Sequence, residues 1–404
     1  MTLMKRNTTF LRLWLAQIFA SFGDSFYDVA IVWHLLQVTS SALVAGGIAL
    51  SAMGGRMFGS SVISTKVDVW HTRRVMLVSS LLRAVVLFLL IFWMQVGTVP
   101  IVGFYAVSFL TAFLNACGSS AQRKSISEVV EKEELVQANA SFNVAASFVQ
   151  IASWALGGVV VNTLGIVLAL LINGATTLVF SGLVAISNWK SVREVRSKEK
   201  KSGVLGGFLA IKAAPKSVHA VIVLEIVALF LMGFYWAAFP LFIYEISDAV
   251  GYGLQGAFFG VGCLITALYL TRSSRIKKLG RAFAWGVMAY SVGIVVSGAI
   301  PHISVFIFGV FISGLGNSFW ETSRQTILHL SVPTEEIGKV FAVLELAINV
   351  CLIPAWLLGG FFADVFGPRL VMIAVGMSMI ALLTGALFYQ PLRDFTVGGS
   401  GAKS

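Results

Sequence analysis

Residues 153–165, SWALGGVVVNTLG, recur in outline as AWLLGGFFADVFG at residues 355–367. The displacement is 202 positions, half of the 404-residue length, and the correspondence extends over residues 115–165 and 317–367. A duplication of this size in a chain that is 57% hydrophobic predicts two similar bundles of membrane helices related by pseudo-symmetry. The matched residues are Asn115 with Asn317, Glu133-Glu134 with Glu335-Glu336, Gly157-Gly158 with Gly359-Gly360, and Gly165 with Gly367.

Composition places nearly the whole chain in lipid. Only 12% of residues are charged, and the mean hydropathy is +0.88. Apolar runs of about 20 residues, enough to cross a hydrocarbon core of about 30 Å, follow one another along the chain. The sequence therefore predicts an all-α polytopic membrane protein and excludes a soluble enzyme. The twelve predicted spans are residues 10–38, 42–64, 73–96, 99–122, 135–161, 164–189, 218–246, 252–271, 282–300, 303–325, 338–362 and 367–390.

Basic residues predict the orientation of these spans. The face that carries both termini holds 26 of the 29 Lys and Arg residues, and basic residues near span ends favour the cytoplasmic side. We therefore expect a bacterial inner-membrane protein with both termini in the cytoplasm. Topology and attraction to anionic lipid explain the net charge of +11, and no aromatic-interleaved module indicates a nucleic-acid partner.

The predicted organisation follows the repeat. It comprises an N-terminal six-helix bundle (1–189), a basic cytoplasmic linker (190–217), a C-terminal six-helix bundle (218–392) and a flexible tail (393–404). All three cysteines fall within spans, and no metal-ligand spacing, phosphate loop or nucleophile elbow stands out, so we expect neither a cofactor nor an enzyme. A twelve-helix chain can form its own pathway, which favours a functional monomer.

Charged residues inside the spans are the strongest indication of chemistry, because a charge at the bilayer centre costs at least about 2.5 kcal/mol without water or a partner. Asp24 and Asp28 share one face of the first span at i, i+4 spacing. Arg83 in the third span lies at similar depth to Asp24, so the two can meet. A neighbouring carboxylate and an arginine change the proton affinity of Asp24 in opposite directions. These three residues are predicted to couple transport to protons; a purely structural ion pair is the alternative.

Other charged residues have less definite predictions. Glu345 is assigned to proton coupling, since Asn349 follows at i+4 and extends a polar stripe. Glu225 is either a cavity carboxylate that attracts cationic substrates or a residue at the membrane boundary. Glu321 lies close enough to the inner surface to be a solvated boundary residue, and Arg56 in the second span has no assigned role.

Four segments carry a family resemblance: FLRLWLAQ at 10–17, RRVMLVSSLLR at 73–83, EELVQANA at 133–140 and EEIGKVFA at 335–342. They resemble the macrolide-efflux-like, drug-exporter branch of the major facilitator superfamily. The resemblance covers most of the chain and implies twelve spans, alternating access and export coupled to inward proton movement.

The loop between the second and third spans resembles the superfamily's signature loop. The resemblance implies a gating role for Asp68, Arg73 and Arg74, through contacts that hold one access state. Ser64 and Val69 depart from the family pattern, and a topology-determining basic loop is the alternative. The glycine pair at 157–158 resembles part of an antiporter motif, but its expected proline is absent, which favours simple close packing of helices.

The resemblance also places the first, fourth, seventh and tenth helices around a central cavity. A pocket of aromatic, amide and carboxylate groups suits bulky, amphipathic and often cationic compounds. Packing against lipid or protein is the alternative for each aromatic. The predicted substrate-binding residues are Phe26, Tyr27, Asn115, Glu225, Phe234, Trp236, Asn317 and Trp320.

The sequence thus predicts a proton-coupled antiporter that exports drug-like or amphipathic small molecules. A dedicated lipid or siderophore exporter or flippase, and a transport-inactive membrane sensor, are the alternatives. The positions equivalent to Asp24, Asp28 and Arg83 carry Ile226, Phe230 and Trp285. Proton chemistry is therefore predicted to concentrate in the first half.

Overall fold

The computed structural model describes residues 6–66, 71–131, 134–187, 204–272, 278–333, 336–387 and 395. Within these ranges the chain is helical apart from short connections. The helices are α1 (Thr8–Thr39), α2 (Ala42–Lys66), α3 (Thr72–Val96), α4 (Ile101–Val129), α5 (Leu135–Ala185), α6 (Val204–Ala213), α7 (Lys216–Ile246), α8 (Ala249–Arg272), α9 (Leu279–Ala299), α10 (Ile303–Ser331), α11 (Ile337–Phe366) and α12 (Pro368–Leu387).

Helix α5 contains two spans joined at a glycine. As one straight helix, its 51 residues would extend about 75 Å at 1.5 Å per residue, more than twice the thickness of a hydrocarbon core. Gly165 interrupts the helix with a φ of 81°, and its repeat equivalent, Gly367, separates α11 from α12 with a φ of 85°. Glycine adopts this left-handed region without the steric cost that a side chain brings, which explains its presence in both copies.

The described helices account for the twelve predicted spans. Nine of them are long and apolar enough to cross a membrane, and the double-length segment Gln137–Ala185 is one of the nine. Helix α1 is 32 residues long but carries Asp24 and Asp28, and α12 supplies a shorter apolar segment. Helices α1–α4, the two arms of α5, and α7–α12 therefore make up the all-α fold.

The chain divides into two compact units. As far as the structure describes them, the first holds residues 1–40, 47–198 and 248–257, and the second holds 41–46, 199–247 and 258–404. Each unit has an apolar cluster near one end of its helices. Buried members of the first are Phe10, Leu13, Met76, Ala121 and Val184, and those of the second are Val218, Ile222, Leu328, Val340 and Leu344.

The predicted linker, residues 190–217, contains the short helix α6. Residues 188–203 and, except for 395, the tail lie outside the described residues. Helix α6 packs on α11 within the second unit, where a Cβ on Gly207 would lie 2.5 Å from the Lys339 carbonyl oxygen. The second unit therefore begins before residue 218, because the apolar stretch of α6 has a helix to pack against.

The two glycine pairs provide close helix packing, as predicted. In the first unit, a Cβ on Gly158 would lie 2.5 Å from the Ala249 carbonyl oxygen. In the second, a Cβ on Gly360 would lie 2.6 Å from the Leu43 Cα. Small residues allow backbones to approach in lipid, where dense packing drives helix association.

Enlarging either glycine should destabilise its unit. Gly158→Leu and Gly360→Leu each place a side chain where even a Cβ meets backbone, and such overpacking typically costs about 1–3 kcal/mol. We expect a lower melting temperature and less monodisperse protein in detergent, measured by fluorescence-detected size-exclusion chromatography after heating. Gly182→Leu is the control, because a Cβ there meets nothing within 4 Å. Equal melting temperatures for all three variants would contradict the packing role.

Asp364, near the end of α11, caps the start of α2 within the second unit. Its carboxylate accepts hydrogen bonds from the Ser41 hydroxyl at 2.6 Å and from the backbone N–H groups of Ala42 at 2.6 Å and Leu43 at 3.2 Å. The first N–H groups of a helix have no partner within that helix. A carboxylate there satisfies them and complements the helix dipole.

Candidate functional site

In the first unit, Asp24 of α1 and Arg83 of α3 form an ion pair, and the guanidinium also donates a hydrogen bond to Asp24 Oδ1. The Arg83 side chain is 9% exposed, whereas that of Asp24 is 28% exposed. The contact predicted from helix depth is therefore present. The carboxylate combines a buried cationic partner with access to solvent.

Two amides complete the surroundings of Asp24. Asn115 of α4 donates to Asp24 Oδ2, and Asn173 of the second α5 arm donates to Oδ1, each at 3.3 Å. Gly23 makes the second contact possible, since a Cβ there would lie 3.1 Å from the Asn173 Cα. Asn173 had no predicted role, although an amide within an apolar span was the available signal.

These groups line a cavity of about 170 Å³, here called the Asp24 pocket. Polar side chains from three helices and the second α5 arm converge on it. It is lined by Gln17, Ala20, Asp24, Ser79, Ser80, Arg83, Leu114, Asn115, Gly118, Ser119, Gln122, Thr177 and Phe180.

Asp28 lies one turn beyond Asp24 on α1 and is exposed. Asp24, Arg56 and Arg83 are all within electrostatic range of its carboxylate. Arg56, on α2, is also exposed. The first unit therefore groups two carboxylates with two guanidinium groups, and Arg56 joins the residues that the sequence predicted.

The second unit contains a group of polar and charged residues that we call the Glu225 cluster: Glu225 of α7 with Trp320, Glu321 and Arg324 of α10. The Trp320 indole donates to Glu225 Oε2 at 2.7 Å, and Arg324 Nη1 lies 3.4 Å from Oε1. The Glu225 side chain is 4% exposed. The carboxylate is thus buried against α10, and its two predicted roles, in a substrate cavity or at the membrane boundary, stay predictions.

The other predicted substrate residues have varied surroundings. Phe26 and Tyr27 are buried in the first unit, where the Tyr27 hydroxyl pairs with Ser108 at 2.8 Å, so their packing does not support substrate contact. Asn317 donates to the Cys263 sulfur at 3.7 Å, and Trp236 packs near Trp356. Phe234 lines an apolar groove of about 290 Å³ in the second unit with Leu231, Phe362, Phe366, Leu370, Val371, Ala374, Val375 and Ser378.

The remaining predictions concern gating and coupling residues. Arg73 donates to the Ala185 carbonyl at the end of α5, and Arg74 is exposed. Asp68 lies outside the described residues. Glu345 is exposed on α11. Their roles in gating and coupling stay predictions.

The family follows from comparison with known proteins. The sequence profile of the Major Facilitator Superfamily matches residues 13–278, more than half of the chain. The chain belongs to the major facilitator superfamily. It is a multi-pass membrane transporter and not an enzyme, and the family implies a small-molecule substrate.

Individual relatives of the transporter are distant but cover nearly its full length. The multidrug efflux pump Tap of Mycolicibacterium fortuitum is 23% identical, over 98% of the transporter and 98% of Tap. The uncharacterized MFS-type transporter YvqJ of Bacillus subtilis (strain 168) is 21% identical, over 97% of the transporter and 94% of YvqJ.

Solved structures match the fold. The nucleoside transporter NupG has a TM-score of 0.72 at 11% identity, with 93% of this transporter and 98% of NupG covered. A bacterial homolog to the human lysosomal transporter Spinster has a TM-score of 0.71 at 10% identity, with 97% and 98% covered. At these identities the likeness shows the fold alone.

Proposed function

We propose that the transporter is a proton-coupled antiporter of the bacterial inner membrane that exports amphipathic, often cationic small molecules as a monomer with both termini cytoplasmic. The observation that carries this proposal is the Asp24 carboxylate, which faces a polar pocket while paired with the buried Arg83. A proton can reach such a carboxylate through the pocket, and the guanidinium of Arg83 favours its ionised form.

The amides around Asp24 suit both protonation states. Asn173 donates its N–H to the ionised carboxylate, and its own Oδ1 is buried without a hydrogen-bond partner among the described residues. Rotation of an amide exchanges its donor and acceptor. Asn173 would then accept from a protonated Asp24. Asp28, on the same helix face, supplies a second carboxylate with which a proton or a cationic substrate can interact.

The substrate class rests on composition and on one relative. The Asp24 pocket supplies carboxylate, amide and hydroxyl groups beside Phe180 and Leu114, and such mixed surfaces bind amphipathic molecules by apolar burial and charge attraction. Tap, similar over nearly its whole length, is named a multidrug efflux pump. A small-molecule exporter therefore fits better than a dedicated lipid or siderophore exporter.

A transport assay in inverted vesicles tests direction and coupling together. Vesicles with an imposed pH gradient, acidic inside, should accumulate a fluorescent lipophilic cation several-fold above vesicles with the gradient collapsed by an ionophore. Empty-vector vesicles control for passive partitioning of the cation. Equal accumulation with and without the gradient would contradict proton coupling. Uptake of a lipid or a siderophore instead would contradict the substrate class.

A further inference from the structure

The Glu225 cluster occupies places in the second unit that correspond to the Asp24 pocket. Subtracting 202 from Asn317, Trp320, Glu321 and Arg324 gives Asn115, Gly118, Ser119 and Gln122. All four of these residues line the Asp24 pocket. Glu225 corresponds to Gly23, which directly precedes Asp24. Each unit therefore has a carboxylate and a guanidinium in the equivalent region, although these residues do not occupy equivalent positions in the repeat.

The two oxygens of Glu225 have different partners. Oε2 accepts the indole N–H of Trp320 at 2.7 Å, and indole can only donate. A carboxyl oxygen can accept that bond whether or not the other oxygen carries a proton. Oε1 faces Arg324 Nη1 at 3.4 Å, a longer contact than the optimum for a charged pair. Oε1 is therefore the oxygen at which a proton can replace a partner.

Arg324 has a second carboxylate available. Its other terminal nitrogen donates to Glu321, whose side chain is 44% exposed and also accepts from Gln325 at 2.7 Å. The guanidinium thus contacts one buried and one accessible carboxylate at the same time. When Glu225 is neutral, Arg324 keeps an anionic partner in Glu321, so the change leaves no isolated buried charge.

We infer that Glu225 is a second proton-binding carboxylate of the transporter, at which a proton on Oε1 replaces the contact with Arg324 while Glu321 retains the guanidinium. The inference rests on the proposed proton-coupled function and extends it to the second unit. The ionised cluster carries two negative charges and one positive charge, and uptake of one proton makes it neutral. Each unit would then exchange protons at its own carboxylate.

Charged groups on the helices that pack against α7 have other neighbours. On α10, besides the cluster itself, the His329 ring packs against Phe341. On α11, Lys339 lies beside Gly206, Glu345 is exposed, and Asp364 caps the start of α2. On α12, Arg369 donates to the carbonyls of Gly298 and Ala299. Among the residues that the structure describes, Glu321 and Arg324 are therefore the charged groups that face Glu225.

Infrared spectroscopy of the purified transporter in lipid vesicles tests protonation directly. With isotopically labelled glutamate carboxyls, a pH titration should give a protonated-carboxyl band in the wild type that is absent in Glu225→Gln. Glu131→Gln, at an exposed glutamate between α4 and α5 of the first unit, is the matched control and should keep that band. A wild-type titration without any glutamate band that Glu225→Gln removes would overturn the proposal.

A second variant keeps the test decisive if Glu225→Gln does not fold. Trp320→Phe removes the indole donor to Oε2 and should shift the frequency of the same band, whereas Trp236→Phe should not. A band unmoved in Trp320→Phe would also overturn the proposal. The infrared spectra do not depend on transport. A failure of gradient-driven flux would therefore count against the proposed function, and the spectra would still decide whether Glu225 binds a proton.

Discussion

Asp24→Asn should reduce proton-driven export to the level of empty vesicles while leaving the transporter folded. The amide keeps the shape of the carboxylate and can still contact Arg83 and Asn115, but it cannot bind and release a proton. Substrate exchange without a pH gradient should persist, because exchange requires binding and conformational change but no net proton movement. The measurement compares gradient-driven accumulation with counterflow in the same vesicle preparation.

Asp364→Asn is a suitable control for this prediction. It makes the same chemical change in the second unit, where the carboxylate caps α2 and does not line the Asp24 pocket. An asparagine retains an oxygen that can cap a helix, so we expect near wild-type driven flux. Undiminished driven flux in Asp24→Asn would remove Asp24 from the coupling role. The same assay on Asp28→Asn shows whether the exposed carboxylate shares that role.

Features that repeat or depend on average composition could be predicted from the sequence. The lengths of the apolar runs predicted the spans. The glycine pair that recurs after 202 residues correctly indicated close helix packing at Gly158 and Gly360. Asp24 and Arg83 could be paired from helix depth, because the cost of burying a charge in lipid leaves few acceptable partners. Each of these predictions needs only helix geometry and the preference of the lipid core for apolar side chains over charged ones.

The Glu225 cluster could not be predicted in the same way. Its acid lies one position before the equivalent of Asp24, and its arginine comes from α10, whereas Arg83 lies on α3. Comparison at 202-residue spacing therefore found Ile226, Phe230 and Trp285, and predicted that proton chemistry concentrates in the first half. Arg324 was counted among the basic residues of the cytoplasmic face. Its position near the end of a span does not show that its side chain contacts Glu225.

For the aromatic residues, the sequence did not show which side chains line a pocket. Phe26 and Tyr27 lie beside Asp24 in sequence, yet successive helical residues are about 100° apart and need not share a face. Both are buried against the first unit. Asn115 has the same family-based assignment and does line the pocket. Tertiary packing decides which face of α1 contacts neighbouring helices, and the order of residues in the sequence does not show it.

Arg83→Gln should destabilise the transporter more than Asp24→Asn. The Arg83 guanidinium is almost fully buried, and its loss leaves Asp24 without its cationic partner. Removing one member of a buried ion pair typically costs about 3–5 kcal/mol, because the remaining charge is uncompensated. We expect about the lower end of that range, since Asp24 is partly exposed and solvent screens it. The measurement is the apparent melting temperature in detergent.

The double variant distinguishes an ion pair from two independent contributions. In Asp24→Asn with Arg83→Gln, no charge is left unpaired, and two amides can hydrogen-bond to each other. The double variant should therefore be more stable than Arg83→Gln alone, giving a coupling energy in the cycle, yet it should have no proton-driven flux. Arg281→Gln, at an exposed arginine of α9, should change the melting temperature little. Additive losses would mean that Arg83 acts through packing of its stem, and recovered flux would mean that the coupling proton binds elsewhere.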